Sequence, residues 1–409
     1  MTRAFWVAVH RWVGLVLAGF LVLAGLTGSL IVWYPELDAR VNPQLMRVTP
    51  PAGGGASGPV PLDPLVLRAR VQAAYPDAWV HWVTLRPAAP DAAASFWVEG
   101  AADASGRHAD LGFDEVFVDP YTGGVLGTRR WGDLSQGAVN LMPFVYRLHH
   151  SLALGTVGTW TFGIVAVLWT LDCFVGAWLT LPMRTRGDRA RRGWWSRWRP
   201  AWAVRWRTSP YRLNVDLHRA GGLWPWAALF VLAWSSVALN LYGPVYRPVM
   251  GLGFDFQADP RSTLPRGDTE NGDPAIGWTE ALRLGRQHLG AQLAAHGVTL
   301  VQEDRLSFDP HRGVVRYEAR TSRDVSERRG RTAVYLDART GRLLATSFPT
   351  GGAAGNTVTA WLVNLHLAHV WGLPYRLVMT VLGVVVAMLS VTGVVIWWKK
   401  RQGRRARRE

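Results

Sequence analysis

Histidines recur at matched places in this chain. Val9-His10-Arg11-Trp12-Val13-Gly14-Leu15 is answered by Leu217-His218-Arg219-Ala220-Gly221-Gly222-Leu223. Leu148-His149-His150-Ser151-Leu152-Ala153-Leu154-Gly155 is answered by Leu365-His366-Leu367-Ala368-His369-Val370-Trp371-Gly372. The spacings agree: His10 to Gly28 and His218 to Ser236 are both 18 residues, and His149 to Gly176 and His366 to Gly393 are both 27. Imidazoles aimed inward from facing helices are a means of holding haem iron, and two axial imidazoles make a low-spin electron carrier. The pattern points to electron transfer across a membrane.

The elements that must position them are apolar. Residues 12–35, 152–183, 220–246 and 377–398 are long enough to cross a bilayer core of roughly 30 Å, and Asp172 is the one charged residue inside them. The first stretch continues into Leu30-Ile31-Val32-Trp33-Tyr34-Pro35 without a small-residue cleavage pattern, so it reads as a span and not as a signal peptide. A net charge of +16 over 409 residues would suggest nucleic acid in a soluble protein. Here the charge sits in two blocks beside apolar runs, which reads against nucleic acid. Residues 184–212 carry ten Arg, among them Arg184, Arg186, Arg189, Arg191 and Arg192, and residues 399–408 carry seven basic side chains. Both blocks are expected on the cytoplasmic side, which puts both termini there. The single cysteine, Cys173, excludes an internal disulfide, a thiolate cluster and a Cys-X-X-Cys-His haem attachment.

The two long segments between spans repeat as well. Each has a helix-like stretch, residues 62–75 and 278–293, followed by strand-like runs. Each has an Asp-X-X-Thr-Gly turn, Asp119 to Gly123 and Asp337 to Gly341, where Asp and Gly tolerate the backbone angles required. The fold class expected is therefore a membrane α-helical protein of four transmembrane helices in two pseudo-symmetric halves, each half carrying an outer α+β domain. Equal orientation of the halves implies a pseudo-two-fold axis along the membrane normal. It sets His10 against His218 near the inner face, and the His149/His150 pair against the His366/His369 pair near the outer face.

Small residues let a porphyrin approach the backbone, and Gly14, Ala18, Gly25, Gly28, Gly155, Gly158, Gly163, Gly372 and Gly383 are the candidates. His366 and His369 share a helical face and also suit a bare Zn or Cu ion, but no carboxylate or thiolate lies close enough in sequence to complete it. Asp172 is a candidate proton or quinol group; the competing reading pairs it with an Arg at the inner interface. His81, His108, His288, His296 and His311 have no repeat partners and are read as ordinary surface or core residues. His366 lies 33 residues before Lys399, about 50 Å of continuous helix, which exceeds the bilayer core. Trp160, Trp169, Trp234 and Tyr242 are the aromatic residues available between the two levels.

At this point the chain resembles the PepSY-associated transmembrane helix family. The resemblance rests on His10 to Leu15, Leu26-Thr27-Gly28, Leu148-His149-His150-Ser151-Leu152, Val391-Thr392-Gly393, Ser236-Val237-Ala238-Leu239-Asn240 and the two Asp-X-X-Thr-Gly turns. It covers nearly the whole chain. It implies an iron-regulated bacterial inner-membrane protein similar to ferric-siderophore reductases, with periplasmic PepSY domains and haem b, one or two per chain. It carries His10, His218, His149 and His366 over as axial ligands, with His150 and His369 as alternatives. On this reading residues 1–35, 148–183, 217–246 and 362–398 are the spans. Residues 36–147 and 247–361 are the two PepSY-like domains, 184–216 the Arg-rich cytoplasmic loop and 399–409 the basic tail. Electrons from quinol or an external reductase pass from the His10/His218 level to the His149/His366 level and on to a ferric siderophore or other ferric chelate. Two departures stand out. Phe174-Val175-Gly176 replaces the Val391-Thr392-Gly393 pattern, and the missing Gly-rich nucleotide fingerprint argues against direct oxidation of NADPH, leaving quinol or an external donor. The rival readings are a membrane-anchored PepSY regulator resembling a peptidase inhibitor, which needs no paired histidines, and a metal-translocating accessory protein, which needs more polar groups inside the spans.

Overall fold

Thr2 starts the first helix: its hydroxyl accepts from the Phe5 amide at 3.3 Å, and α1 then runs unbroken over Arg3–Ile31. The computed structural model describes residues 2–52, 59–86, 89–101, 107–183, 193–258, 260 and 272–406. Gly53, Gly54 and Gly55 of the linker, Arg184, Arg186, Arg189, Arg191 and Arg192 of the basic loop, and Arg407 and Arg408 of the tail lie outside the described residues. The principal elements after α1 are α2 (Tyr34–Val41), α3 (Pro64–Ala74), β1 (Ala78–Trp79), β2 (Trp82–Thr84), β3 (Ala94–Trp97), β4 (Glu99–Gly100), β5 (Glu115–Val118) and β6 (Val125–Arg129). Next come α4 (Leu141–Ser151), α5 (Gly155–Thr180), α6 (Pro210–Leu223), α7 (Trp226–Asn240) and α8 (Trp278–His296). The chain closes with β7 (Leu300–Asp309), β8 (Val314–Thr321), β9 (Thr332–Asp337), β10 (Leu343–Ser347), α9 (Ala354–His366) and α10 (Gly372–Arg405). Two compact units result, one of residues 1–33, 145–253 and 361–409, the other of residues 34–144 and 254–360.

In the helical unit, α1, α5 and α10 are 29, 26 and 34 residues long and apolar enough to cross a membrane. The third expected span is instead a bent pair: α6 and α7 meet at 68° across Trp224 and Pro225. Proline offers no amide to the preceding turn and its ring crowds the carbonyl four residues back, which turns the chain here. Helices α1 and α10 touch where Gly25 faces Gly383, and a Cβ on either would run into the other's backbone. Ser29 ties the crossing, its hydroxyl lying 3.0 Å from the Gly25 carbonyl and 2.8 Å from that of Thr380. Lipid tails are as apolar as these side chains, so close backbone approach is what favours such a contact.

Two matched breaks answer the length problem at His366. Between α4 and α5 the chain turns through left-handed Leu152 and Ala153, with φ of 53° and 56°, into Gly155 at 57°. Between α9 and α10 it turns through Ala368 and Trp371, at 53° and 54°, into Gly372 at 54°. His149 and His366 therefore sit on short helices that precede the long ones, and no single 50 Å helix joins His366 to Lys399. The glycine six residues after each histidine opens the long helix.

In the other unit, the two long segments between the spans meet in one sheet. Strand β2 of residues 36–147 adds to the edge of the later strands in one antiparallel sheet of order β10-β9-β8-β7-β2, with Trp82 opposite Ser307 and Thr84 opposite Arg305. One core joins them: Leu67 and Val71 of α3 and Val83 of β2 pack with Leu289 of α8, Leu306, Val315 and Leu336. A smaller sheet, β3-β5-β6, carries a buried ion network. Arg129 lies between Asp38 at 2.9 Å and Glu115 at 2.7 Å, and all three are 5% exposed or less. Burial pushes both carboxyls above their ordinary range, against the opposing pull of Arg129. Both Asp-X-X-Thr-Gly turns form as structure: Asp119 accepts from the Tyr121 amide at 2.8 Å, Asp337 from the Thr340 amide at 2.8 Å, and Gly123 and Gly341 have φ of 73° and 72°.

Candidate functional site

Within the helical unit the four repeat-related histidines meet in two pairs. His10, near the start of α1, faces His218 of α6 with ring centres 6.1 Å apart and planes tilted by 55°. His149, at the end of α4, faces His366, at the end of α9, with ring centres 6.3 Å apart and planes tilted by 58°. The alternatives fall elsewhere: His150 turns its Nδ1 back to the Tyr146 carbonyl at 2.8 Å, and His369 lies in the break before α10.

Each imidazole is oriented by a residue of a different helix. The Nδ1 of His149 is 3.1 Å from the Thr27 hydroxyl, that of His366 is 2.8 Å from the Ser235 hydroxyl, and that of His218 is 3.0 Å from the Leu389 carbonyl and 3.1 Å from the Thr392 hydroxyl. The Nδ1 of His10 is 2.9 Å from an oxygen of Asp172. The three hydroxyls donate their own hydrogens to carbonyls one turn back, at Leu23 (2.6 Å), Val231 (2.6 Å) and Met388 (2.7 Å). With their hydrogens so placed the hydroxyls accept, an arrangement that calls for the Nδ1–H tautomer of each histidine. A carboxylate can only accept, so His10 is in the same tautomer. All four rings then carry their lone pair on Nε2, the form in which histidine binds a metal.

Three glycines make room for the rings. A Cβ at Gly28 would stand 3.0 Å from Cε1 of His149, at Gly393 3.1 Å from that of His218, and at Gly176 3.3 Å from that of His10. Of the candidate small residues, only Gly28 plays this part. Gly25 and Gly383 serve the helix crossing, Gly155 and Gly372 the breaks, Gly158 faces the Ser151 carbonyl and Gly163 faces Leu241. Open space lies beside Gly14, one turn after His10.

Ring centres 6.1 and 6.3 Å apart fit a group shared by the two imidazoles: His10 with His218, and His149 with His366, would hold a haem iron, which would supply one-electron exchange there. Among the described residues no group of three or more His, Cys, Asp or Glu is arranged to hold a bare metal ion. The levels are separated by the 18 residues of α1 from His10 to Gly28, a rise of about 27 Å. Between them Phe20 meets Phe162 at 6.2 Å, and Trp169 packs on the same cluster. Trp160 is half exposed, Tyr242 is exposed, and Trp234 points its Nε1 at the Met250 sulfur. The remaining histidines lie in the sheet-bearing unit. His108, His288 and His296 bond to backbone carbonyls, and His81, His108 and His311 line a cavity of about 290 Å³ with Trp79, Glu99 and Tyr335. Burial holds His81 below the ordinary imidazole range.

Ser235 had no assigned role in the sequence, and Thr27 and Thr392 appeared only inside motifs. The signal that marks Thr27 and Thr392 is a hydroxyl residue immediately before a glycine that faces a histidine, and Ser235 stands at the corresponding place before Ser236. Comparison with known proteins adds one match: the family model of the PepSY-associated TM region aligns with residues 7–400. No curated protein matches the chain.

Proposed function

Since this membrane protein belongs to the PepSY-associated transmembrane family, we propose that it is a haem-b electron-transfer protein of the bacterial inner membrane that reduces ferric chelates, ferric siderophores above all, on the periplasmic side. The observation that carries the reading is the pair of facing imidazoles found twice, each with its Nδ1 within hydrogen-bond distance of a residue on another helix. Simple ring packing covers the same centre-to-centre range, but it does not require four fixed tautomers at repeat-related positions. His10 and His218 would hold one haem, and His149 and His366 the other. Bound haem supplies reversible one-electron exchange at iron. The protein's own part is to orient the imidazoles, exclude water and set the potential. The reaction consumes one electron per Fe(III), drawn from quinol or an external reductase, and releases Fe(II).

The arrangement we propose has four spans in two pseudo-symmetric halves, counting α6 and α7 as one bent span. Arg197, Arg199, Arg205 and the block from Lys399 to Arg405 support cytoplasmic placement of that face and of both termini. The sheet-bearing unit is then periplasmic, where it would meet the chelate. The test is a dithionite-reduced minus oxidised absorption spectrum of the detergent-purified protein, with haem counted per chain. A b-type α-band with two haems per chain is expected. No haem, after expression with ample haem supply, would overturn the redox reading in favour of a membrane-anchored PepSY regulator.

A further inference from the structure

Three of the four imidazoles lean on a neutral hydroxyl, and one leans on a carboxylate. The cause is legible in the repeat. Span α10 carries Thr392 before Gly393, and α5 carries Val175 before Gly176, with no hydroxyl to offer. Three positions earlier, where α10 has Leu389, α5 has Asp172, and its oxygen reaches the His10 Nδ1 at 2.9 Å. Asp172 is 11% exposed, and among the described residues His10 is its one hydrogen-bond and ion-pair partner. The other buried carboxylate at this level, Asp216, is matched by Arg205 at 2.7 Å and Arg219 at 3.1 Å.

We infer that Asp172 is a positioning residue that gives the His10/His218 site a lower reduction potential than the His149/His366 site. The inference rests on the haem reading above. A carboxylate accepting the Nδ1–H draws that proton towards itself and raises electron density at Nε2. A more electron-rich ligand, with a fixed negative charge behind it, stabilises Fe(III) over Fe(II), because the oxidised iron bears one more positive charge. Thr27 and Ser235 provide no such charge at the other pair. The step is the gain of one electron by Fe(III), and the proton stays between His10 and Asp172. The potential difference directs electrons from the His10/His218 level towards the His149/His366 level, with no gate required.

The test is a spectroelectrochemical titration of the full-length purified protein, with haem content measured on the same samples. Wild type should show two b-type components, and His218→Ala should remove the lower one. Asp172→Asn should move that lower component upward. At its wild-type midpoint the ratio of reduced to oxidised haem should rise about tenfold or more, a tenfold change being ~59 mV for one electron. The variant carrying Asp172→Leu with Val175→Thr restores the hydroxyl arrangement of α10, and should draw the two components together at unchanged haem content. Unmoved potentials in both variants would overturn the inference. Loss of the haem from both would also overturn it, since the carboxylate would then be needed for binding and not for potential. Absence of haem from wild type would instead overturn the reading on which the inference rests.

Discussion

The two histidine pairs are built to one plan by different elements. His149 and His366 sit at the ends of short helices, each followed by a left-handed break, so their level is set by two matched turns. His10 and His218 sit on helices that continue past them, and on one side the chain bends by 68° at Pro225. At the first pair the partners are two hydroxyls; at the second they are a hydroxyl with a backbone carbonyl behind His218 and a carboxylate behind His10. The geometry at the imidazoles hardly differs, 6.3 Å against 6.1 Å. What the repeat preserves is therefore the position of the rings and their tautomer, while the charge behind them is free to vary.

Removal of a ring should separate the pairs most strongly. His218→Ala and His366→Ala should each lose one of two haems, and the double variant should lose both. Haem content equal to wild type in either single variant would strike that pair from the site. A control separates loss of a site from loss of fold. Arg129→Met leaves the Asp38 and Glu115 carboxylates buried without their cation, which should cost roughly 3–5 kcal/mol. Burial raises both carboxyls above their unfolded values, so the native state binds the extra protons. Stability of the variant should then recover as pH falls through the raised carboxyl range, whereas loss that deepens with acid would contradict the network. Haem content per folded chain should stay at two.

Next come the hydroxyls. Thr27→Val and Ser235→Ala should weaken haem retention at the His149/His366 pair by about 10–100-fold and leave the other pair alone. Equal weakening at both would show that the sites are not independent. The glycines give the finest graduation. Gly28→Ala places a methyl 3.0 Å from the His149 ring, and Gly176→Ala one 3.3 Å from the His10 ring. The first should slow haem uptake more than the second, as followed by absorption during titration of the apoprotein. His288→Ala, whose ring meets the Gly341 carbonyl in the other unit, should change neither spectrum nor haem count.

Much of this was open to reading along the chain. Apolar length marked α1, α5 and α10, because a bilayer core sets a minimum number of residues. The Asp119 and Asp337 turns were legible because their hydrogen bonds are local, two or three residues away. Asp172 was marked by being a lone carboxylate in an apolar run, but its partner was not. His10 is 162 positions distant, and no local rule brings the two together. The glycines were misread for a related reason. A sequence records that a residue is small, but not which surface comes close to it, so Gly25 and Gly383 looked like porphyrin contacts when they form a helix crossing.

The repeat in the sequence by itself singled out His10 and His218, and the pairs His149/His150 and His366/His369, as corresponding positions, since equal spacing implies equal heights. It determined the apolar spans and the basic blocks that flank them. Only the tertiary structure decided that β2 joins the later strands in one sheet, because strand pairing depends on edges brought together over more than 200 residues. Only the tertiary structure decided that the acceptor behind His10 is a carboxylate, since a hydrogen bond between helices depends on how they are rotated against each other, and that rotation follows from packing at contacts such as Gly25 against Gly383.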